Sequence, residues 1–349
     1  MRAFAIAFAV IGVSLPASAA ERAIPRSATV RTAQPPTRTL VGDWEPPDVV
    51  GLVYSDSWSS AFANIVDALA REVPVMLLTE DGRTLAETSA SVASLPESSL
   101  RNVWIADRVV DSAWIRDYGP LQARTTSGSM LWIDAPYADD RPLDDDVPAM
   151  FAATLDVAVE PTWASIDGGA IASNGAQLCV STVEYFDKME ITGTRRLSAQ
   201  LGCATLVLVP ALSDEGTKHV DLFLQFVEPT VALLARFDPD EAPLDARRMD
   251  RAEAAIAKAA SDMDLDLTIE RIDLPPPDGD LYPSWLNYFR LPGVVLVPSY
   301  AGVDRGLQAA AHERLTALMP TATLVSIPSD ELLAYGGAVH CLVHGIALR

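Results

Sequence analysis

The chain has 349 residues, of which 49% are apolar, 21% charged and 7% aromatic. That much apolar surface can offset ordering entropy, which excludes a disordered or low-complexity chain and allows one large domain or two medium ones. Asp and Glu number 47 against 26 Lys and Arg, a formal net charge of -21; this disfavours nucleic acid and anionic lipid as partners and would attract a cationic substrate.

In chain order, Met1-Arg2, the apolar run Ala3 to Leu15 and the small triplet Ala17-Ser18-Ala19 form the three-part pattern of a secretory signal, residues 1–19. Export to a periplasm or out of the cell is the expectation. No Cys follows the cleavage site, so no lipid anchor is implied. Residues 20–47 are rich in Pro, Thr and Arg and lack apolar periodicity, which predicts an extended linker. From residue 48 to 349 the pattern alternates between helical period and short β-rich runs, read as one catalytic domain.

Five helix–strand pairs are predicted. The first helix starts at Asp56 and runs to about Arg71, with Trp58, Phe62, Ile65, Val66 and Leu69 on one face, followed by Val75–Leu78. The second starts near Asp146 and carries Met150, Phe151 and Leu155. The third is Thr194–Leu201 with strand Thr205–Val209. The fourth is Ala246–Ala260 with Leu265–Ile269, and the fifth Arg305–Leu318 with Thr323–Ile327.

A polar or reactive cluster follows each pair: Trp114 to Pro120, Ile166-Asp167-Gly168-Gly169, Lys218-His219-Val220-Asp221, Trp285 to Phe289, and Tyr335 to Cys341. Units around a common axis would bring five clusters to one centre; a linear α/β sheet would carry the same local pattern. Cys341 lies in a β-like run after two glycines, which permit close approach of a substrate. Cys179 and Cys203 have apolar neighbours and read as structural, paired or not. His219 and Asp221, two apart, would share one face of a strand, with Val220 and Leu222 toward the core. Asp117 fits an Arg–Asp pair bracing a turn, and Asp167 an Asx turn, as readily as a binding role.

Together these groups suit one task. Carboxylates hold a guanidinium in a bidentate fork, and Trp stacks on its plane. A thiolate can attack its central carbon, and a His can protonate the departing nitrogen and later deprotonate water. A reading of another class is a metal-binding protein using His340, Cys341 and His344 with His219 and Asp221, although a closed zinc site needs four well-placed ligands.

WIRDYGP, GTKHVD and GGAVHC, in this order, resemble the agmatine deiminase and bacterial peptidyl-arginine deiminase family of guanidine-modifying enzymes, from about Val49 to the C-terminus. The resemblance implies a five-bladed α/β propeller with pseudo-fivefold symmetry. It implies Cys341 as nucleophile, His219 as general acid/base, and Asp117 and Asp221 as the clamp for the guanidinium. Trp114 would pack on the substrate, and Asn287, Asp167 and Gly168 would line the site. Arg141, after the stretch Asp134 to Tyr137, would hold the carboxylate of a C-terminal arginine. No metal or organic cofactor is implied. The expected reaction converts arginine, peptidyl or C-terminal, to citrulline and ammonia; agmatine, giving N-carbamoylputrescine, is the alternative. Departures from the family pattern fall at Asp167, Ala170, Ala338 and Leu143.

Overall fold

The computed structural model describes residues 24–55, 57, 59–138 and 140–348. The expected signal segment, Asp56 and Trp58 lie outside the described residues. The described chain is mixed α/β, with its named strands in five separate sheets. Each sheet contains the same unit. Two antiparallel strands are followed, through helix, by a third strand parallel to the second. Leu121–Thr125, Met130–Asp134 and Ala158–Pro161 make one such unit. Another pairs Val343–Ile346, at the end of the chain, with Val49–Tyr54, near its start, and then Val75–Glu80. The parallel step needs a crossover, and a helix supplies it by covering the sheet with its apolar stripe.

The helices follow their periodicity closely. Ser59–Ala70 buries Phe62, Ile65, Val66 and Leu69, the predicted face. Burial of such side chains stabilises by about 1.5–3 kcal/mol each. Pro243–Ser261 buries Ala246, Met249, Ala252, Ile256 and Ala260, one stripe at helical spacing. Pro243 opens it, where a missing N–H costs nothing. The helices Thr194–Leu201 and Arg305–Leu318 carry the predicted bounds, whereas the strand expected at Leu265–Ile269 forms at Thr268–Asp273. Ala260 and Met263 continue the turn chemistry past the helix end, delaying the strand.

The linker expected at 20–47 is corrected over its described part. Ala28–Arg31 pairs antiparallel with Thr205–Val209, and Arg38–Leu40 with Leu121–Thr125. Trp44 Nε1 donates to the Asn174 carbonyl at 3.2 Å, and Glu45 forms an ion pair with Arg124 at 2.7 Å. Short edge strands need only backbone pairing on one side, so they tolerate Pro, Thr and Arg and show no hydrophobic alternation. Cys179, in strand Leu178–Thr182, forms a disulfide with Cys203, in the loop just before the parallel neighbour strand Thr205–Val209, with Cα atoms 5.7 Å apart.

The connections between successive units carry the predicted clusters. Trp114 and Asp117 lie between Val103–Val110 and Leu121–Thr125, and Asp167 to Gly169 between Ala158–Pro161 and Ala172–Ser173. His219 and Asp221 lie between Thr205–Val209 and Leu224–Glu228, Asn287 just before Phe289–Arg290, and Cys341 just before Val343–Ile346. Strand ends are where the ladder stops and backbone groups turn free, so irregular segments meet there.

Candidate active site

Trp114, Asp117, Arg141, Asp167, His219, Asp221 and Cys341 line one cleft of about 220 Å³. Asn287 stands behind it, with its amide nitrogen 3.4 Å from Cys341 Sγ. Five separated segments thus converge, and seven of the nine predicted site residues face the same space.

Gly169 lies at the centre of this arrangement. A Cβ there would stand 2.7 Å from His219 Nδ1, 2.9 Å from Asp117 Oδ1 and 3.1 Å from Asp221 Oδ2. Only glycine lets the imidazole and both carboxylates crowd one backbone position. Its N–H donates to Asp117 Oδ1 at 3.3 Å, and its carbonyl accepts from the N–H groups of Val220 and Asp221, both at 3.2 Å. Gly168, expected in the substrate site, instead packs on Arg116, whose carbonyl oxygen would lie 2.1 Å from an added Cβ. The Gly-Gly pair was the visible signal, but which glycine packs against the cleft side chains depended on the turn.

Two further local expectations are corrected. His219 and Asp221 sit in a turn, not on a strand. Both still face the cleft because the intervening Val220 is fully buried and anchors the turn to the core. Glu215 accepts from the N–H groups of Thr217 and Lys218 and stiffens the approach to His219. Cys341 lies in the helical turn Val339–Leu342, not in a strand, and the strand follows at Val343. Its glycine neighbour Gly337 passes against Trp114, where a Cβ would come within 2.6 Å of the indole.

The imidazole of His219 is held at both nitrogens. Nε2 lies 3.0 Å from Asp167 Oδ2, and Nδ1 3.6 Å from Asp117 Oδ1. Burial disfavours the imidazolium, but Asp117, Asp167 and Asp221 overcome it and raise the His219 pKa to about 10. Asp117 is pushed up to about 7 by burial and by repulsion from Asp167 and Asp221, against the attraction of His219. The thiol of Cys341 is pushed well above its ordinary value by burial and by the carboxylates of Asp221 and Asp117. Without a cation, then, the thiol stays protonated. Asp221 Oδ1 is buried with no hydrogen-bond partner among the described residues.

The remaining cleft walls bear on substrate choice. Arg141 precedes the turn Pro142–Asp145, and its side chain reaches the cleft together with Tyr137, Lys188, Thr217 and Tyr335. Leu143 is exposed. His344 belongs to a different cavity, with Gln122 Nε2 3.5 Å from its Nε2, so it does not join His340 and Cys341 in a ligand set. Among the described residues no group of three or more His, Cys, Asp or Glu side chains has the arrangement of a metal site. Sequence reasoning missed Asp43, which forms a two-point ion pair with Arg116 at 2.6 and 2.9 Å. Nothing around Asp43 distinguished it from linker.

Solved structures of agmatine deiminases superpose on this chain. That of C. jejuni covers 90% of this chain and 98% of its own with a TM-score of 0.76 at 14% identity. That of Enterococcus faecalis covers 92% and 100% with a TM-score of 0.75 at 17% identity. The fold is therefore shared with these solved structures. Agmatine deiminase of Pseudomonas fluorescens (strain SBW25) is 24% identical over 87% of this chain and 94% of its own length. The Porphyromonas-type peptidyl-arginine deiminase family matches residues 43–346, and the chain belongs to that family. It is a deiminase-type hydrolase acting on guanidino C–N bonds.

Proposed function

We propose that this protein hydrolyses the guanidinium of an arginine-derived compound to a ureido group, releasing ammonia. The observation that carries this is the convergence of one buried thiol, one imidazole and three carboxylates on a single cleft. A guanidinium entering it meets Asp117 and Asp221, while Trp114 offers an aromatic face to its plane. Its positive charge reverses the proton inventory: Asp117 and the Cys341 thiol lose protons to solvent, and the hold on the His219 proton weakens. The thiolate then forms a bond to the central carbon. His219 gives its proton to the departing nitrogen, which leaves as ammonia, and a covalent thiouronium remains on Cys341. Water attacks the same carbon and passes a proton to His219. The C–S bond breaks as the new hydroxyl gives up its proton to solvent, where ammonia takes it up as ammonium, and the ureido product and the thiolate are freed.

Between substrates, similarity to agmatine deiminases along nearly their whole length supports agmatine over peptidyl arginine. Arg141 and Lys188 in the cleft favour a substrate whose far end carries a carboxylate, as a C-terminal arginine does. A ureido colour assay on agmatine, free arginine, a C-terminal arginine peptide and an internal arginine peptide separates these, and product from none of them overturns the proposal. Arg141→Ala is expected to lower kcat/KM on the C-terminal arginine peptide about tenfold or more and to spare agmatine. Equal losses on both would remove the carboxylate role.

Binding should also depend on pH. The Asp117 pKa is raised to about 7, and the clamp needs the carboxylate, so a cation binds with release of a proton. Affinity for agmatine should weaken about tenfold per pH unit below about pH 7 and level off above it. Calorimetric titration of the inactive Cys341→Ser variant measures this, and a flat affinity across that range would contradict it.

The same reading extends to architecture and location. The five sheets share one unit, and the last strand pairs with the first unit's central strand, which supports a closed five-bladed propeller around the cleft. The Cys179–Cys203 disulfide suits an oxidising compartment, in keeping with export by residues 1–19.

A further inference from the structure

Behind the cleft lies a row of alternating charge, buried at His340 and Arg116 and partly exposed at Asp43, that the reaction above does not use. His340 Nδ1 is 2.7 Å from Asp221 Oδ2. On its other side, His340 Nε2 faces Asp43 Oδ2 at 3.6 Å, an electrostatic contact too long for a hydrogen bond. Asp43 in turn holds both terminal nitrogens of Arg116, and Arg116 also donates to the Gly168 carbonyl at 3.1 Å. The next N–H, that of Gly169, donates to Asp117 Oδ1. One carboxylate from the N-terminal segment therefore reaches both clamp residues, Asp221 through His340 and Asp117 through Arg116. His340 is 1% exposed, and its backbone N–H is fixed by Asn287 Oδ1 at 3.1 Å.

We propose that Asp43 and His340 are positioning residues for the guanidinium clamp: His340 holds Asp221 by Oδ2 so that Oδ1 is presented to the substrate, and Asp43 holds His340 and Arg116 in place. The inference rests on the deiminase reading for its kinetic consequence but not for its structural one. The free Oδ1 of Asp221 is what such a device leaves over. A charged ring suits the position. Burial and the neighbouring Arg116 disfavour the imidazolium, yet Asp221 and Asp43 together raise the His340 pKa. Two further titratable rings lie nearby: burial with Arg116 lowers the His344 pKa to about 3, and burial raises that of Tyr288, which lines a cavity with Asp43, His340 and Arg290, so neither ring adds a competing charge near neutral pH.

The test compares the full-length protein with its Asp43→Asn, Asp43→Glu and His340→Gln variants. Histidine ring nitrogens are followed by NMR across pH, which is tractable with four His in the chain. With Asp43→Asn the His340 ring should titrate at lower pH than in the wild type, because one of its two carboxylates has lost its charge. The alkaline limb of kcat/KM should move down with it, and kcat/KM should fall about tenfold or more. Asp43→Glu should recover part of both. His340→Gln keeps a donor for Asp221 but no charge, so it should fold and lose activity chiefly through a higher KM. An unmoved His340 titration in Asp43→Asn, or a pH profile scaled down without a shift, would overturn the proposal. If Asp43→Asn does not fold, a His340→Gln variant with wild-type KM overturns it equally. Absence of turnover in the wild type would instead indict the deiminase reading, and the NMR titration would still decide this one.

Discussion

Replacing Cys341 by Ser is expected to abolish ureido formation while leaving the fold and guanidinium binding intact. The side chain is 6% exposed and shares the cleft with His219, Asp117 and Asp221. A hydroxyl in this position is a far weaker acid than a thiol, and the same carboxylates that raise the thiol pKa would oppose an alkoxide still more strongly. A bound cation cannot bridge that gap. Loss of turnover should be at least about 10³-fold, the scale for removing a covalent nucleophile that acts as a unit with its base. Steady-state assay of ammonia release, with circular dichroism to verify folding, is the measurement. Residual turnover within tenfold of wild type would end the covalent mechanism.

The second large effect concerns the clamp. Asp117→Asn is expected to lower kcat/KM by about 10²–10³-fold, because a guanidinium held in a partly dry site would lose one of its balancing charges at a cost of about 3–5 kcal/mol. Stability should respond in the opposite sense. The folded-state pKa of Asp117 is raised, so the wild-type fold is penalised as pH rises through about 7 and the carboxylate forms beside Asp167 and Asp221. Asn removes that charge and keeps an oxygen for the Gly169 N–H. The melting temperature of Asp117→Asn should therefore match or exceed that of wild type above about pH 7, while activity collapses. A variant that loses both would mark Asp117 as a structural brace, the plainer role that its place between Arg116 and Tyr118 first allowed.

In the free cleft the positive imidazolium of His219 is set against the carboxylates of Asp117, Asp167 and Asp221. Burial, together with the carboxylates of Asp221 and Asp117, keeps the thiol of the free site protonated. On the proposed mechanism the substrate supplies further positive charge, so nucleophile activation would depend on a cationic ligand and the unpaired thiol would be protected from adventitious chemistry. The paired cysteines, both buried, lie outside the cleft, and Cys341 is the free cysteine of the described chain.

Local sequence determined what depends on local physics. Helical stripes such as Phe62, Ile65, Val66 and Leu69 were legible because amphipathic periodicity repeats within one element. Cys341, His219, Asp117 and Asp221 stood out in sequence by residue type and by the motifs that carry the resemblance, and the fold places all four on one cleft. Tertiary structure decided the rest. Asp43 sits in a stretch whose strands pair only at sheet edges, so no period betrays them, and its two partners lie far along the chain at Arg116 and His340. Gly169 rather than Gly168 packs against the cleft side chains because the turn after Asp167 directs one glycine to Arg116 and the next to His219, Asp117 and Asp221. Asp167 became a partner of His219 through the same turn. The pairing of Cys179 with Cys203 needed the loop before Thr205–Val209 to be brought beside strand Leu178–Thr182. Composition and spacing act through neighbours in sequence, whereas a charge row or a shared cleft is set by which distant backbones the packed core brings within a few ångströms.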